Sequence, residues 1–396
     1  MKDKFLPILF LLSLISTCAE VDISVPGFVQ IASFFKVSEA AIQATITYNF
    51  IGYFIGALLY GPLSDAFGRR KLMIIGNAIL SIGAIGCFIA PTANFLLTAR
   101  FIQGIGAATS VVLVFTMIAD LYEGEKAMKL IGLMNAALAI IMAAAPVLGG
   151  LINHAIGWRG NYGLVALFSV LVWFLMVLYL PESKKQLDKI NIKTVAGTYK
   201  QLFTNAKFMN ASLIPSLLFA AYMSYIAASS FLYQVTYGLT TIQFVIHQAV
   251  IISSFSLVSL YASKVIAMFG PQQAVKQGII LCCVSIFTLI VLSMQHISSP
   301  YIMTGLMSLF SIGFAALYPV VFSDSLSIFP ALHGPASSAI MGTRALLVSV
   351  STCISSAIYN GSTFSIAIAI AIGISLATLL TIAWLNKAPE PEAQAS

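Results

Sequence analysis

The chain has 396 residues, of which 59% are hydrophobic and only 8% charged, with a formal net charge of +7. Soluble domains carry roughly 45–50% apolar and 25% charged residues, so this composition excludes a string of soluble domains and points to a polytopic membrane protein. The basic excess does not indicate a nucleic-acid partner, because it is confined to particular connections between apolar runs.

A bilayer core needs about 20 apolar residues per helix. Twelve candidate spans follow in order, over 5–34, 41–63, 72–90, 94–119, 130–152, 160–180, 209–231, 242–264, 274–294, 300–322, 335–358 and 364–385. The first opens with MKDKFLPILFLLSLISTCA, which has the basic start, apolar stretch and small-residue end of a secretory signal. Its removal would leave eleven spans and reverse the distribution of basic loops, so the expectation is that it stays.

Two acids interrupt this first run, Glu20 and Asp22, with no other charge between Lys4 and Lys36. An ionised side chain at a helix centre costs roughly 2.5–3.5 kcal/mol on insertion scales, so their presence asks for a role. Ser13, Ser16, Thr17, Glu20 and Ser24 recur at helical spacing and form one polar stripe that should face the bundle interior. Asp22 lies about 200° round a straight helix from Glu20, and a bend near Pro26 and Gly27 would be needed to bring it inward. The alternative placement for either acid is the outer headgroup region.

The loop after the second span reads GPLSDAFGRRKL, Gly61 to Leu72. Pro62 ends a helix, Gly61 and Gly68 permit backbone conformations closed to other residues, and Asp65 precedes Arg69, Arg70 and Lys71. In span four, Arg100 cannot shed its charge and must find an anion, carbonyls or water, or else snorkel to the surface. Asp120 closes that span. Span five carries APVLGG, whose Pro146, Gly149 and Gly150 have no chemistry of their own but let helices approach closely.

The segment from Pro181 to Lys207 is the one long polar stretch and divides the spans six and six, the two-half plan of transporters with a midplane site between repeats. The expected domains are an amino-terminal half (1–180), a linker (181–207), a carboxy-terminal half (208–385) and a tail (386–396). With an inside amino terminus, one side holds Lys2, Lys4, Arg69, Arg70, Lys71, Lys126, Lys129, the linker lysines, Lys264, Lys276 and Lys387, against Lys36 and Arg159 on the other. The positive-inside rule then places both termini in the cytoplasm. The five cysteines all lie in apolar spans without metal-ligand spacing and read as small core residues.

Candidate substrate contacts are Tyr48, Asn49 and Tyr53 on span two, and Tyr222, Tyr225, Tyr233 and Gln234 at span seven, which offer aromatic faces with hydrogen-bonding tips. Arg344 lies about ten residues into span eleven, ~15 Å deep at 1.5 Å per residue. Facing a cavity it would favour an anionic or carboxylate-bearing substrate; otherwise it pairs with an acid or snorkels. The histidines His154, His247, His296 and His333 fall on separate segments, no phosphate-cradling GxxxxGK[ST] loop occurs, and no nucleophile or metal constellation is assembled, so neither an enzyme nor a nucleotide-driven pump is expected.

GPLSDAFGRRKL resembles the loop signature of the major facilitator superfamily, with Ala66 standing where the family usually has a basic residue. RFIQGIGAA at Arg100 to Ala108 resembles its fourth-span motif, and APVLGG its fifth-span antiporter motif, with Ala145 in place of the usual Gly. The longer runs ITYNFIGYFIGALLYGPLSDAFGRRKL, EVDISVPGF and SSFLYQVTYGLT resemble the bicyclomycin and chloramphenicol resistance (Bcr/CflA-type) branch of drug/proton antiporters, well over the first half and loosely over the second.

The resemblance implies twelve helices in two pseudo-symmetric six-helix halves in a bacterial inner membrane. It also implies proton-coupled multidrug efflux without a cofactor, partnered by small molecules, protons and lipid, in a chain expected to be a monomer. It selects Asp22 as the acid four positions before Pro26, whereas the polar stripe selects Glu20, and both stay open. It gives Arg100 the part of sensing whether a cavity acid is ionised, and gives Asp65, Arg69 and Asp120 that of a cytoplasmic latch on the outward-facing state. The alternatives are a dedicated exporter of an anionic metabolite or siderophore, a proton symporter, and a non-transporting membrane sensor.

Overall fold

The computed structural model describes residues 2–184, 186–187, 191–329 and 332–386; Lys185, Lys189, Lys387 and all but the first residue of the 386–396 tail lie outside them. In order the helices are α1 (Lys2–Asp22), α2 (Phe28–Phe35), α3 (Glu39–Phe67), α4 (Arg69–Ile89), α5 (Ala93–Leu121), α6 (Gly124–Ile156), α7 (Trp158–Tyr179) and α8 (Ile192–Thr204). The second half follows with α9 (Ala206–Phe231), α10 (Thr241–Leu260), α11 (Ala262–Phe269), α12 (Pro271–Met294), α13 (Pro300–Ser327), α14 (His333–Ile358) and α15 (Thr363–Leu385). Among the described residues, eleven helical segments are long and apolar enough to cross a membrane, α1 and α2 acting as one. The remaining crossing is α6, whose apolar stretch is Ile140–Ile156.

Helix packing repeats between the halves. In the first, α3 packs on α5, α4 on α5 and α7, and α1 on α6 and α7. In the second, α10 packs on α13, α12 on α13 and α15, and α9 on α14 and α15. Each pair in one list has its counterpart at the same place in the other, as inverted or parallel repeats require. The halves meet through α3 against α14 and α6 against α10.

Close packing rests on small residues, since lipid offers no hydrophobic reward for helix association and contact distance decides it. A β-carbon at Gly104 would lie 1.8 Å from the Asn49 carbonyl oxygen, one at Gly106 2.1 Å from the Leu80 nitrogen, and one at Gly278 2.6 Å from the Gly313 oxygen. Gly104→Ala therefore forces α5 away from α3. We expect it to destabilise the fold by about 1–3 kcal/mol or more, read as a lost or down-shifted unfolding transition in micelles.

Two crossings are broken at one end. A 3-10 turn over Val25–Gly27 separates α1 from α2, and a π turn over Leu232–Thr236 ends α9. Pro26 lacks the N–H that would continue the helix. The bend that the sequence called for is thus present, with Asp22 as the last residue of α1. The linker is not simply polar: Asn191 caps α8, accepting from the Lys193 and Thr194 nitrogens, and α8 packs on α9 and α14.

Candidate functional site

The polar stripe of α1 faces the interior. The Ser13 hydroxyl donates to the Ser110 hydroxyl of α5 at 2.6 Å, and Thr17 bonds back to the Ser13 carbonyl. One turn on, Glu20 is 1% exposed and Arg100 0%. They form a salt bridge through Arg100 Nη1 and Glu20 Oε2. Asn49 Nδ2 donates to Glu20 Oε1 at 2.8 Å, and Arg100 Nη1 also donates to Gln103 Oε1 at 2.9 Å. The Tyr162 ring lies 5.9 Å from the guanidinium carbon. Arg100 therefore does not snorkel; its charge is met inside the bundle by a carboxylate. Asn49, read from the sequence as a substrate contact, is a ligand of that carboxylate.

Asp22 is 5% exposed. Among the described residues it makes no ion pair and no side-chain hydrogen bond, and its electrostatic neighbours are Glu20 and Tyr222 of α9. The two acids thus differ in kind: Glu20 is held by Asn49 of α3 and Arg100 of α5, while Asp22 is an uncompensated carboxylate at a helix break beside the other half. The fifth-span motif closes on that break. A β-carbon at Gly149 would stand 2.2 Å from the Ile23 carbonyl oxygen, and one at Gly150 2.2 Å from a Val245 methyl of α10. Gly149 and Gly150, which follow Pro146 within α6, are where α6 packs against the backbone at Ile23 and against α10 of the second half. Gly150→Leu should separate α6 from α10 and raise passive proton leak in liposomes, measured with a trapped pH dye.

A second cluster lies at the face where α1 begins. Arg69 Nε bonds Asp120, Arg69 Nη2 stands 3.2 Å from Asp65, and Lys184 Nζ stands 2.8 Å from Asp65. Glu182, which sequence reasoning passed over, caps α4: its carboxylate accepts from the Arg69 and Arg70 backbone nitrogens at 3.0 and 3.2 Å, the favourable end of the helix dipole for an anion. Arg70 reaches the Leu180 and Val177 carbonyls. Pro62 does not end the helix as the sequence suggested: α3 runs through it to Phe67 and stops at Gly68, whose φ is 94° and where a β-carbon would meet Glu182 Oε2 at 2.5 Å, so only glycine serves. Gly61 approaches the second half, its absent β-carbon 2.8 Å from the Ser338 hydroxyl oxygen. Asp120→Asn should cost about 1.5–3 kcal/mol, the range for a hydrogen bond to a charged group, in an unfolding titration.

A cavity of about 340 Å³ opens at this same face, between α3, α5, α8 and α14. Tyr199 of α8 spans its rim and donates to the Leu58 carbonyl of α3 at 2.9 Å. Burial against these helices pushes the Tyr199 phenol up to about 12.

The remaining sequence candidates separate. Tyr225 donates to Gln248 Oε1 at 2.6 Å, the Tyr233 hydroxyl pairs with Thr304 at 2.7 Å, and Gln234 Nε2 reaches the Pro26 carbonyl across the halves at 3.2 Å. These three gather at the far end, with Gln234 tying α9's π turn to the break in the first crossing. Tyr48 is 42% exposed, about 100° round α3 from Asn49, and is not brought to the others. Arg344 faces inward, among Phe219, Tyr318 and Phe322 at 5.3–5.9 Å.

Residues 10–352 match the family model described as Major Facilitator Superfamily. The chain is 26% identical over 364 residues to the Multidrug resistance protein MdtL of Escherichia coli O157:H7, covering 92% of this chain and 91% of that protein. It is also 26% identical over 301 residues to the Uncharacterized MFS-type transporter YdgK of Bacillus subtilis, covering 74% of each. Among solved structures, that of a D-xylose-proton symporter superposes with a TM-score of 0.75 at 17% identity, over 94% of this chain and 96% of the other. Two repeated six-helix halves, a buried ion pair in the first, a charged cluster at the α3 to α4 turn and a family match across most of the sequence agree: the chain belongs to the Major Facilitator Superfamily of membrane transporters, which are not enzymes.

Proposed function

We propose that the protein is a proton-coupled antiporter that exports a small amphipathic molecule across a bacterial inner membrane, with both termini in the cytoplasm. The observation that carries this reading is the pairing of unlike acids at one level of the bundle: Glu20 neutralised by Arg100, and Asp22 buried without a counter-charge next to the second half. Burial in a low-dielectric site disfavours the charged form of a carboxyl group, which suits it to load and release a proton.

Asp22 is the proton carrier in this scheme, and the Glu20–Arg100 pair is the fixed charge against which its state is read. With Asp22 ionised the halves resist closing over it; once protonated it passes through the closed state. Export is supported by the multidrug resistance named for the MdtL relatives and by the close helix packing at Gly149 and Gly150. A proton symporter is the weaker reading, since likeness to the D-xylose symporter is one of fold alone.

The test uses purified protein in liposomes with an imposed pH gradient and a trapped pH dye. Ethidium, chloramphenicol and 1-naphthoate are added in turn as cationic, neutral and carboxylate probes. Proton movement triggered by a probe, abolished in Asp22→Asn, supports antiport. Absence of proton movement with every probe, while a probe still binds, overturns it.

A further inference from the structure

Arg344 is a fixed intramembrane cation without an acid. Arginine holds its charge under all physiological conditions, and at the bilayer midplane such a group pairs with an anion or marks a substrate path. Across residues 208–386 the sequence supplies one acid, Asp324, and its Oδ2 accepts from Trp384 Nε1 at 2.8 Å. Among the described residues no carboxylate forms a salt bridge with Arg344.

What surrounds the guanidinium instead is aromatic. Phe219 of α9 and Tyr318 and Phe322 of α13 stand around it, Arg344 Nη2 donates to the Tyr318 hydroxyl at 3.0 Å, and the buried Nε has no partner. The wall continues into the first half, where Phe50 of α3 lies 6.4 Å from Phe219 and 6.1 Å from Tyr53. Arg344, Phe219, Tyr318, Phe322, Phe50 and Tyr53 are all half-buried, so each leaves part of its side chain uncovered by the rest of the protein.

We propose that Arg344 and its aromatic wall form the substrate subsite, and that it takes a flat aromatic monoanion, a carboxylate or sulfonate. The guanidinium fork matches a planar carboxylate, the rings cover the apolar body, and the subsite joins both halves so that their relative motion reshapes it. The inference deepens the export reading by naming the substrate class and rests on it for direction of transport, though binding stands apart from coupling.

The experiment measures equilibrium binding of radiolabelled 1-naphthoate and its methyl ester to the full chain in lipid nanodiscs, with empty nanodiscs subtracted. Wild type should bind naphthoate saturably. Arg344→Gln should weaken it at least about tenfold, the lower end of what a hydrogen bond to a charged group is worth, while leaving the ester unchanged. Arg344→Lys keeps the charge, controls for folding and should fall between the two. Equal naphthoate affinity in wild type and Arg344→Gln, or no saturable naphthoate binding by wild type, overturns the proposal. Arg344-dependent naphthoate binding with no proton flux from any probe would leave the subsite standing and overturn antiport; proton flux driven by ethidium with no saturable naphthoate binding would do the reverse.

Discussion

Arg100→Gln lowers the unfolding free energy by about 3–5 kcal/mol, the penalty for breaking a buried ion pair by deleting one partner. The size follows from burial: neither side chain reaches solvent, so the Glu20 carboxylate would keep only Asn49 Nδ2 as a donor and no positive charge. Glu20→Gln should cost a similar amount for the mirrored reason, since Arg100 Nε and Nη2 already lack partners and Nη1 would keep only Gln103 Oε1 and the backbone carbonyl of residue 20. The double variant Glu20→Gln with Arg100→Gln removes both charges, so its cost should fall short of the sum of the two single costs by a coupling of about 1–3 kcal/mol. An unfolding titration in mixed micelles measures all three. Single variants within 1 kcal/mol of wild type would show that the pair is hydrated and carries little energy.

The first half of this site was legible in the sequence because its signals are local. A Pro–Gly pair after Asp22 writes the helix break, and the spacing of Ser13, Thr17 and Glu20 writes the buried stripe. The Asp65 to Arg70 turn carries its own geometry in two glycines. What depended on distant contacts was not legible. Nothing in Glu182's neighbourhood announces that it caps α4, since the capped nitrogens are 112 and 113 residues away. Nor did periodicity choose Asn49 over Tyr48 as the interior neighbour: adjacent residues on one helix differ by about 100°, and only the approach of α5 at Gly104 settles which side is inside.

The linker shows the same limit from another direction. Val195, Tyr199 and Leu202 follow helical spacing, yet the six lysines of the 181–207 segment dominate its composition and the stretch reads as polar. Its helix becomes intelligible only with its partners: Leu202 is fully buried among Phe208, Ala336, Ala339 and Ile340 of the second half, while Tyr199 reaches the first half. An amphipathic helix of 13 residues is marginal by itself, so tertiary contact is what holds α8.

Asp22→Asn abolishes the dependence of transport on proton supply without abolishing binding. An uncompensated carboxylate in the dry closed bundle costs roughly 2.5–3.5 kcal/mol, which at about 1.4 kcal/mol per factor of ten slows passage through the closed state by about a hundredfold. Protonation relieves this, so wild-type exchange should rise steeply as the pH on the loading side falls. Asparagine is neutral at every pH and similar in shape, so the variant should exchange substrate at a rate close to the protonated wild type's, independent of pH, and should accumulate none against a gradient. Glu20→Gln provides the contrast, because its deficit is one of stability. If Asp22→Asn keeps gradient-driven accumulation while folded Glu20→Gln loses it, the proton rides on Glu20 and Arg100 becomes the group it releases. Measuring counterflow and accumulation in the same liposomes across external pH separates the two carboxylates, since counterflow needs only conformational exchange and accumulation needs the proton.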